Sequence, residues 1–258
     1  MSLYLYLLVV GVGIIAGFIN TLAGSGSLLT LPILIFLGLP ANIANGTNRI
    51  AILFQSIVSV ASFKNQKVLD IKQGIWLSLP AVVGAIIGAS VAVNFNEELM
   101  EKCIAGLLIF MFFVILYKPE RWIKGKAGLI NTKPSLIQII VFFGIGFYGG
   151  FIQAGVGIFL LAGLVFSVGT DLLKSNGLKN FIVLVYAPFA LAVFIINKQV
   201  NWEIGLILAA GNMIGAYIAS KVAVSWGPKF IRIILLGAIM LSAVKLLGVF
   251  SFIVSLFK

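Results

Sequence analysis

The sequence predicts an all-α fold: a polytopic transmembrane helical bundle of two inverted-topology repeats, about five segments each, with broken or short helices. Three observations predict it. Hydrophobic residues make up 61% of the 258-residue chain and charged residues 10%, with a mean hydropathy of +1.18; a soluble domain carries about a quarter charged residues. Several runs reach the roughly 20 apolar residues that cross a bilayer. The chain also repeats itself around a break. Gly17-Phe18-Ile19-Asn20-Thr21-Leu22-Ala23-Gly24-Ser25-Gly26 returns as Gly150-Phe151-Ile152-Gln153-Ala154-Gly155-Val156-Gly157. Beyond the Gly-x-Gly the halves keep one register, Asn45-Gly46 falling on Asn176-Gly177, Gly84-Ala85 on Gly215-Ala216 and Val91-Ala92-Val93 on Val222-Ala223-Val224. Apolar repeats interrupted by glycine at matching places are the pattern of a secondary transporter with its substrate site at the repeat interface.

The apolar blocks run over 3–22, 26–39, 44–63, 74–93 and 100–117, then 135–153, 156–170, 175–196, 203–224 and 229–256. The chain thus divides into an N-terminal transmembrane repeat (1–117), a basic cytoplasmic loop (118–134) and a C-terminal transmembrane repeat (135–258). The first block has no basic leader and runs on into the repeat motif, so it reads as a membrane segment rather than a cleaved signal. Blocks 26–39 and 156–170 are short for a span and follow the glycine breaks, which suits tilted or half-depth helices enclosed by protein. Gly84-x-x-x-Gly88 and Gly211-x-x-x-Gly215 offer small faces for close helix approach, and Pro80 and Pro188 are expected to kink their segments. Loop charges set the orientation. Lys64, Lys67 and Lys72 against Asp70 place 64–72 in the cytoplasm, and Glu97, Glu98 and Glu101 against Lys102 place 97–102 outside. Lys118, Arg121, Lys124, Lys126 and Lys133 against Glu120 return 118–134 to the cytoplasm. The counterpart of the 64–72 loop holds only Lys198 and Glu203, as a second repeat inserted upside down would. Five segments per repeat would put both termini outside.

Composition narrows the chemistry. Histidine is absent and Cys103 is the single cysteine, which removes a disulfide, a thiolate metal cluster and the usual general base. No enzyme, metal or cofactor is expected. The net charge of +11 sits in loops, where it reads as a topology signal with attraction to membrane lipid rather than to nucleic acid. All seven carboxylates, Asp70, Glu97, Glu98, Glu101, Glu120, Asp171 and Glu203, fall in or beside loops, so a carboxylate-based proton or cation mechanism finds no residues.

The basic side chains differ. Arg49 and Lys179 lie one turn inside the third segment of their halves, Lys179 falling on Asn48 and Asn180 on Arg49. Asn45, Asn48 and Arg49 share a helix face, as do Asn176, Lys179 and Asn180. Cations with amide donors suit a small inorganic or organic oxyanion; the bland alternative is snorkelling to the interface. The breaks at Gly24-Ser25-Gly26-Ser27 and Gly155-Val156-Gly157 expose N–H groups at helix starts, a second anion device. Asn20 and Gln153, just before them, either cap freed backbone groups or touch substrate. Residues 24–27 and 45–49 are therefore expected to face 155–157 and 176–180 across a polar cavity. An anion channel of the same architecture is the alternative to a carrier, and a homodimer is left open.

The stretch GFINTLAGSGSLLTLPILIFLGLPANIANGTNRI, its degenerate copy GFIQAGVGIFLLAGLVFSVGTDLLKSNGLKNFI and the basic central loop together resemble the sulfite exporter TauE/SafE family of membrane permeases. The resemblance implies a multi-pass plasma-membrane carrier of small sulfur-containing anions such as sulfite, sulfonates and sulfoacetate. The second copy departs from the first in placing Val156 and Ile158 at Ser25 and Ser27, and Gly163 at Pro32, which sets the two breaks apart.

Overall fold

The computed structural model of the protein describes residues 3–104, 106 and 134–246, with the backbone alone for residue 3 and for 226–246. The basic loop falls outside the described residues up to 133. Helices α1 (Leu3–Ala23), α2 (Ser27–Phe36), α3 (Ala41–Asn65) and α4 (Ile71–Val93) are followed by α5, described over 97–104. Then come α6 (Leu136–Ile152), α7 (Val156–Gly163) with a π-helical turn (Leu164–Val168), α8 (Leu172–Ile196) and α9 (Trp202–Leu246). Starts are set by side-chain caps: Asp70 accepts from the Gln73 N–H, Asp171 from Leu173 and Lys174, and Ser135 forms a capping box with Gln138. The blocks at 203–224 and 229–256 were expected as separate segments; instead α9 is one helix through Gly227-Pro228. A glycine before proline has no Cβ to clash with the ring, which lowers the penalty for remaining helical.

Blocks 26–39 and 156–170 prove to be return arms. A Cβ added at Gly26 would lie 2.1 Å from the Ala16 carbonyl oxygen and 2.6 Å from the Asn20 Cβ, so α2 starts against the end of α1. From there it runs back until Leu34 packs in one cluster with Val9. In the second half Gly163 faces Ile145 and Val141, and the Gln138 amide donates to the Ser167 carbonyl at 2.7 Å. Each half therefore opens with a helical hairpin. Four described helices are long and apolar enough to cross a membrane: Tyr4–Ala23, Ile71–Val93, Leu172–Ile196 and Trp202–Ser225. Helix α3 matches them in length with 25 residues, but Asn42, Asn45, Asn48, Arg49 and Gln55 make it more polar.

The packing is reciprocal. Helix α1 lies along α9, with Gly13 and Gly17 against Leu208 and Asn212, and Gly211 and Gly215 against Val10 and Ile14. Helix α6 lies along α4 in the same way, Gly146 and Gly150 against Ala81 and Ala85, and Gly84 and Gly88 against Phe143 and Phe147. A Cβ at Gly17 or Gly146 would stand 2.3 or 2.2 Å from a partner carbonyl oxygen, so only glycine permits these approaches. Gly17 thus corresponds in packing to Gly146, one helical turn from the Gly150 that the sequence motif pairs with it. Between these pairs α3 and α8 run antiparallel, Gly46 beside Phe194 at one end and Gly177 beside Phe63 at the other. Asn45, Asn48, Arg49, Gln55, Lys179 and Asn180 are buried, while Leu7, Ile15, Leu79, Val83, Ile137, Ile140 and Ile214 are exposed. That inside-out distribution fits an apolar solvent.

The two breaks touch. Gly24 and Gly155 adopt positive φ, 75° and 71°, a conformation glycine takes without steric cost. The Gly157 N–H donates to the Gly24 carbonyl at 3.2 Å. A Cβ on Gly157 would fall 2.2 Å from the Gly24 Cα. Gly157→Ala is therefore expected to destabilise the purified protein by at least the ~1–3 kcal/mol of an overpacked core, read as a fall in Tm. Gly144→Ala, which meets nothing within 4 Å, should leave Tm unchanged or raise it.

Candidate functional site

A helix that stops inside a protein leaves the carbonyls of its last turn without partners at the negative end of its dipole. Helix α6 stops at Ile152, and Arg49 of α3 meets those carbonyls. The Arg49 Nη1 donates to the Gly149 carbonyl at 3.0 Å and Nη2 to the Gly150 carbonyl. Longer contacts of 3.4 Å reach Gln153 Oε1 and Asn45 Oδ1. The guanidinium stacks 4.5 Å from the centre of the Phe194 ring. One turn earlier the Asn45 amide donates to the Phe151 carbonyl at 2.7 Å.

The end of α1 is held the same way from the other half. The Lys179 Nζ donates to the Asn20 carbonyl at 2.9 Å and the Thr21 carbonyl at 2.7 Å. The Asn180 amide donates to Thr21 at 3.2 Å and the Asn176 amide to Leu22 at 3.1 Å. Each half thus supplies a cation and asparagine amides to the broken helix of the other, one from the first half and two from the second. Asn20 takes the place that Gly149 holds in the second half, so its match to Gln153 in the sequence is again off by one turn. Asn48 serves the return arm instead, donating to Ser27 Oγ at 3.1 Å and accepting from Thr30 Oγ1 at 2.6 Å.

Arg49 and Lys179 are 1% and 2% exposed, and both reach inward to buried carbonyls rather than out to an interface. The ion pairs among the described residues, Lys102–Glu98 and Lys174–Asp171, lie on exposed side chains elsewhere. Both buried cations are therefore surrounded by neutral oxygens. They do not meet in one cradle. With Gly46 opposite Phe194 and Gly177 opposite Phe63, Gln55 stands at the level of Tyr186. Arg49 lies six residues before Gln55 and Lys179 seven before Tyr186. At 1.5 Å per residue on antiparallel helices, that sets them about 9 and 10 Å to opposite sides of this middle layer. The cations thus form two clusters in series.

The middle layer holds residues the sequence analysis passed over. Gln55 Oε1 accepts from the Asn20 amide at 3.1 Å and the Asn212 amide at 3.3 Å, and Asn20 Oδ1 accepts from the Gly26 N–H at 3.3 Å. Thr21 and Ser59 hydroxyls pair at 3.1 Å, and the Gln153 amide donates to the Tyr186 hydroxyl at 3.1 Å. Lone amides at Gln55 and Asn212 inside apolar helices were the available signal, since a polar group at membrane depth needs a partner. The breaks also differ. At the second, Val156, Gly157 and Ile158 N–H groups go to the Gln153, Gly24 and Gly155 carbonyls. At the first, the Ser25 hydroxyl is buried without a partner among the described residues; on α3, Arg49 Nε and the Ser56 hydroxyl are too. These are three unused donors. Ser25, Ser27, Gly24, Gly26, Gly155 and Gly157 thus surround the crossing point, with Arg49 and Lys179 to either side.

The profile of the sulfite exporter TauE/SafE family matches residues 9–246. The chain belongs to that family. Among curated proteins, this TauE/SafE chain is 27% identical to the "Probable membrane transporter protein ORF9" of Sinorhizobium sp over 234 residues, 91% of this chain and 89% of the relative. It is 28% identical to the Escherichia coli K12 "Probable membrane transporter protein YfcA" over 232 residues, covering 89% and 85% of the two chains. It is 25% identical to a "Probable membrane transporter protein" of Haemophilus influenzae over 222 residues, 86% of each. No solved structure matches. The protein is thus a membrane transporter of the TauE/SafE family, built of apolar helices.

Proposed function

We propose that this TauE/SafE protein is a secondary transporter that carries a small sulfur-containing oxyanion, such as sulfite or an organosulfonate, across the plasma membrane by alternating access. The observation behind this reading is the pair of buried cations, Arg49 and Lys179, bonded only to neutral oxygens. A buried charge without a counter-charge carries a heavy desolvation penalty. Carbonyls offset part of it; an oxyanion offsets more, and at the Arg49 cluster takes up the unused Nε donor. Gly24, Gly26, Ser27, Asn45, Asn48, Gly155, Gly157, Asn176 and Asn180 shape the walls of this path. The backbone contact between Gly24 and Gly157 closes the crossing point, which fits one state of a carrier; an open anion channel would have to break it.

The two halves are proposed to be inserted with opposite orientation. The antiparallel course of α3 and α8, the corresponding helices of the two halves, supports this. The loop between α3 and α4 is then cytoplasmic and the one between α8 and α9 external. A cysteine replacing Lys67 should react with an impermeant reagent from the cytoplasmic side only, and one replacing Lys198 from outside only; labelling of both from one side would contradict the inverted arrangement.

Arg49→Gln keeps an amide in place of the guanidinium and removes the charge. It is expected to weaken sulfite binding by about 1.5–3 kcal/mol, the scale of a hydrogen bond to a charged group, or about tenfold to over a hundredfold in Kd. Lys221→Gln, whose ammonium sits 4.4 Å over the Tyr217 ring away from the crossing, should change Kd by much less. In proteoliposomes the wild type should show flux that saturates and is accelerated by anion on the far side. Equal binding by the wild type and a folded Arg49→Gln/Lys179→Gln double variant would sink the assignment.

A further inference from the structure

Gln153 has a conformation and a set of contacts that capping alone does not explain. Its φ is 51° with ψ −25°, and the Ala154 N–H donates to the Ile152 carbonyl across it. This is a tight turn with a left-handed residue at its centre, uncommon and strained for a residue with a side chain. Glycine would adopt it freely. The glutamine side chain, 2% exposed, lies between two other groups. Its Oε1 is 3.4 Å from Arg49 Nη1, and its amide is 3.1 Å from the hydroxyl of the fully buried Tyr186. It therefore joins one cation cluster to the middle layer.

The bonds of Arg49 are of two kinds. Gly149 and Gly150 carbonyls hold it closely, at 3.0 Å for Gly149. Asn45 Oδ1 and Gln153 Oε1 hold it at 3.4 Å, beyond the usual N–H···O range of 2.7–3.2 Å. A charge-assisted bond to an oxyanion is roughly twice as strong as a neutral one. An anion reaching Arg49 therefore displaces the long amide contacts first and leaves the carbonyl cap of α6 in place. The other cluster is tied to the layer differently: Lys179 bonds the Asn20 and Thr21 backbones, and the Asn20 side chain, which goes to Gln55 and Gly26, does not touch the cation.

We propose that Gln153 is the trigger of the transport cycle: an oxyanion arriving at Arg49 displaces the Gln153 amide, which releases Tyr186 and lets the strained turn relax, opening the layer between the two cation clusters. This rests on the anion-carrier reading above and adds to it which residue couples occupancy to opening. Gln153 and Tyr186 act here as positioning residues. The barrier closes again when the anion moves on and the amide returns to Arg49.

Two variants separate triggering from binding. Gln153→Gly keeps the turn without strain and removes the amide; Tyr186→Phe keeps the ring and removes the hydroxyl. Sulfite binding to purified protein is measured beside sulfite exchange and net leak in proteoliposomes. Both variants are expected to keep Kd within about threefold of the wild type, while the ratio of exchange to leak falls at least about tenfold, as a layer no longer held shut in the empty protein requires. Gln153→Glu, which sets a carboxylate against Arg49, should abolish binding. A wild-type exchange-to-leak ratio in both Gln153→Gly and Tyr186→Phe would overturn the trigger alone. So would affinity and flux falling in parallel, which would make Gln153 an ordinary anion ligand. A wild type that binds neither sulfite, sulfate nor methanesulfonate would overturn the carrier reading itself, and this inference with it.

Discussion

Breaking a helix inside a protein creates carbonyls that must be paired, and the centre of this fold is organised around that requirement. The last turns of α1 and α6 end where no water is expected, so each must find donors within the chain. Both find them on the third helix of the opposite half: Lys179, Asn180 and Asn176 for α1, Arg49 and Asn45 for α6. The halves are thereby tied to each other at their most polar points. Glycine faces hold α1 along α9 and α6 along α4, which fixes the two broken helices in place.

The same arrangement explains how cations come to be buried in so apolar a chain. A neutral donor would satisfy the carbonyls at less desolvation cost, as Asn45 and Asn176 show within the same clusters. Using Arg49 and Lys179 instead leaves two positive charges facing neutral oxygens. That excess is what a transporter of anions would need: enough stabilisation for the empty protein to fold, and enough charge left to attract a substrate. The two breaks divide the work unequally. The first keeps an unused serine hydroxyl, whereas the second uses its N–H groups internally and holds a strained glutamine.

Much of this was legible in the sequence because membrane helices and glycine breaks write periodic patterns. The helix starts at Ala41 and Leu172, and at Ile71 and Trp202, follow the repeat register, and the pairing of Arg49 with Lys179 could be read from Asn-Gly motifs in matching places. Three things were not legible. Whether a short apolar helix crosses or turns back depends on which face it packs against, and Gly26 and Gly163 reveal that only in three dimensions. The motif alignment before the breaks was a turn off, because Gly-Phe-Ile recurs while packing equivalence follows the helix interface. Gln55, Asn212 and Tyr186 lacked a matching residue in the other half, since Gln55 falls on Tyr186 and Asn212 on Ala81, so the repeat could not point to them.

The central claim is that the charge of Arg49 and Lys179, left without a carboxylate partner, is what an oxyanion binds. The most direct measurement is thermal unfolding of the purified wild-type protein against a panel of sulfite, sulfate, thiosulfate, sulfonates and carboxylates at constant ionic strength, with a neutral sulfone and alkali cations as controls. A ligand bound only by the folded state raises apparent stability in proportion to its occupancy. The account predicts a saturable rise in Tm with at least one sulfur oxyanion and none with the sulfone. A panel in which no anion stabilises the protein more than the neutral control would contradict it.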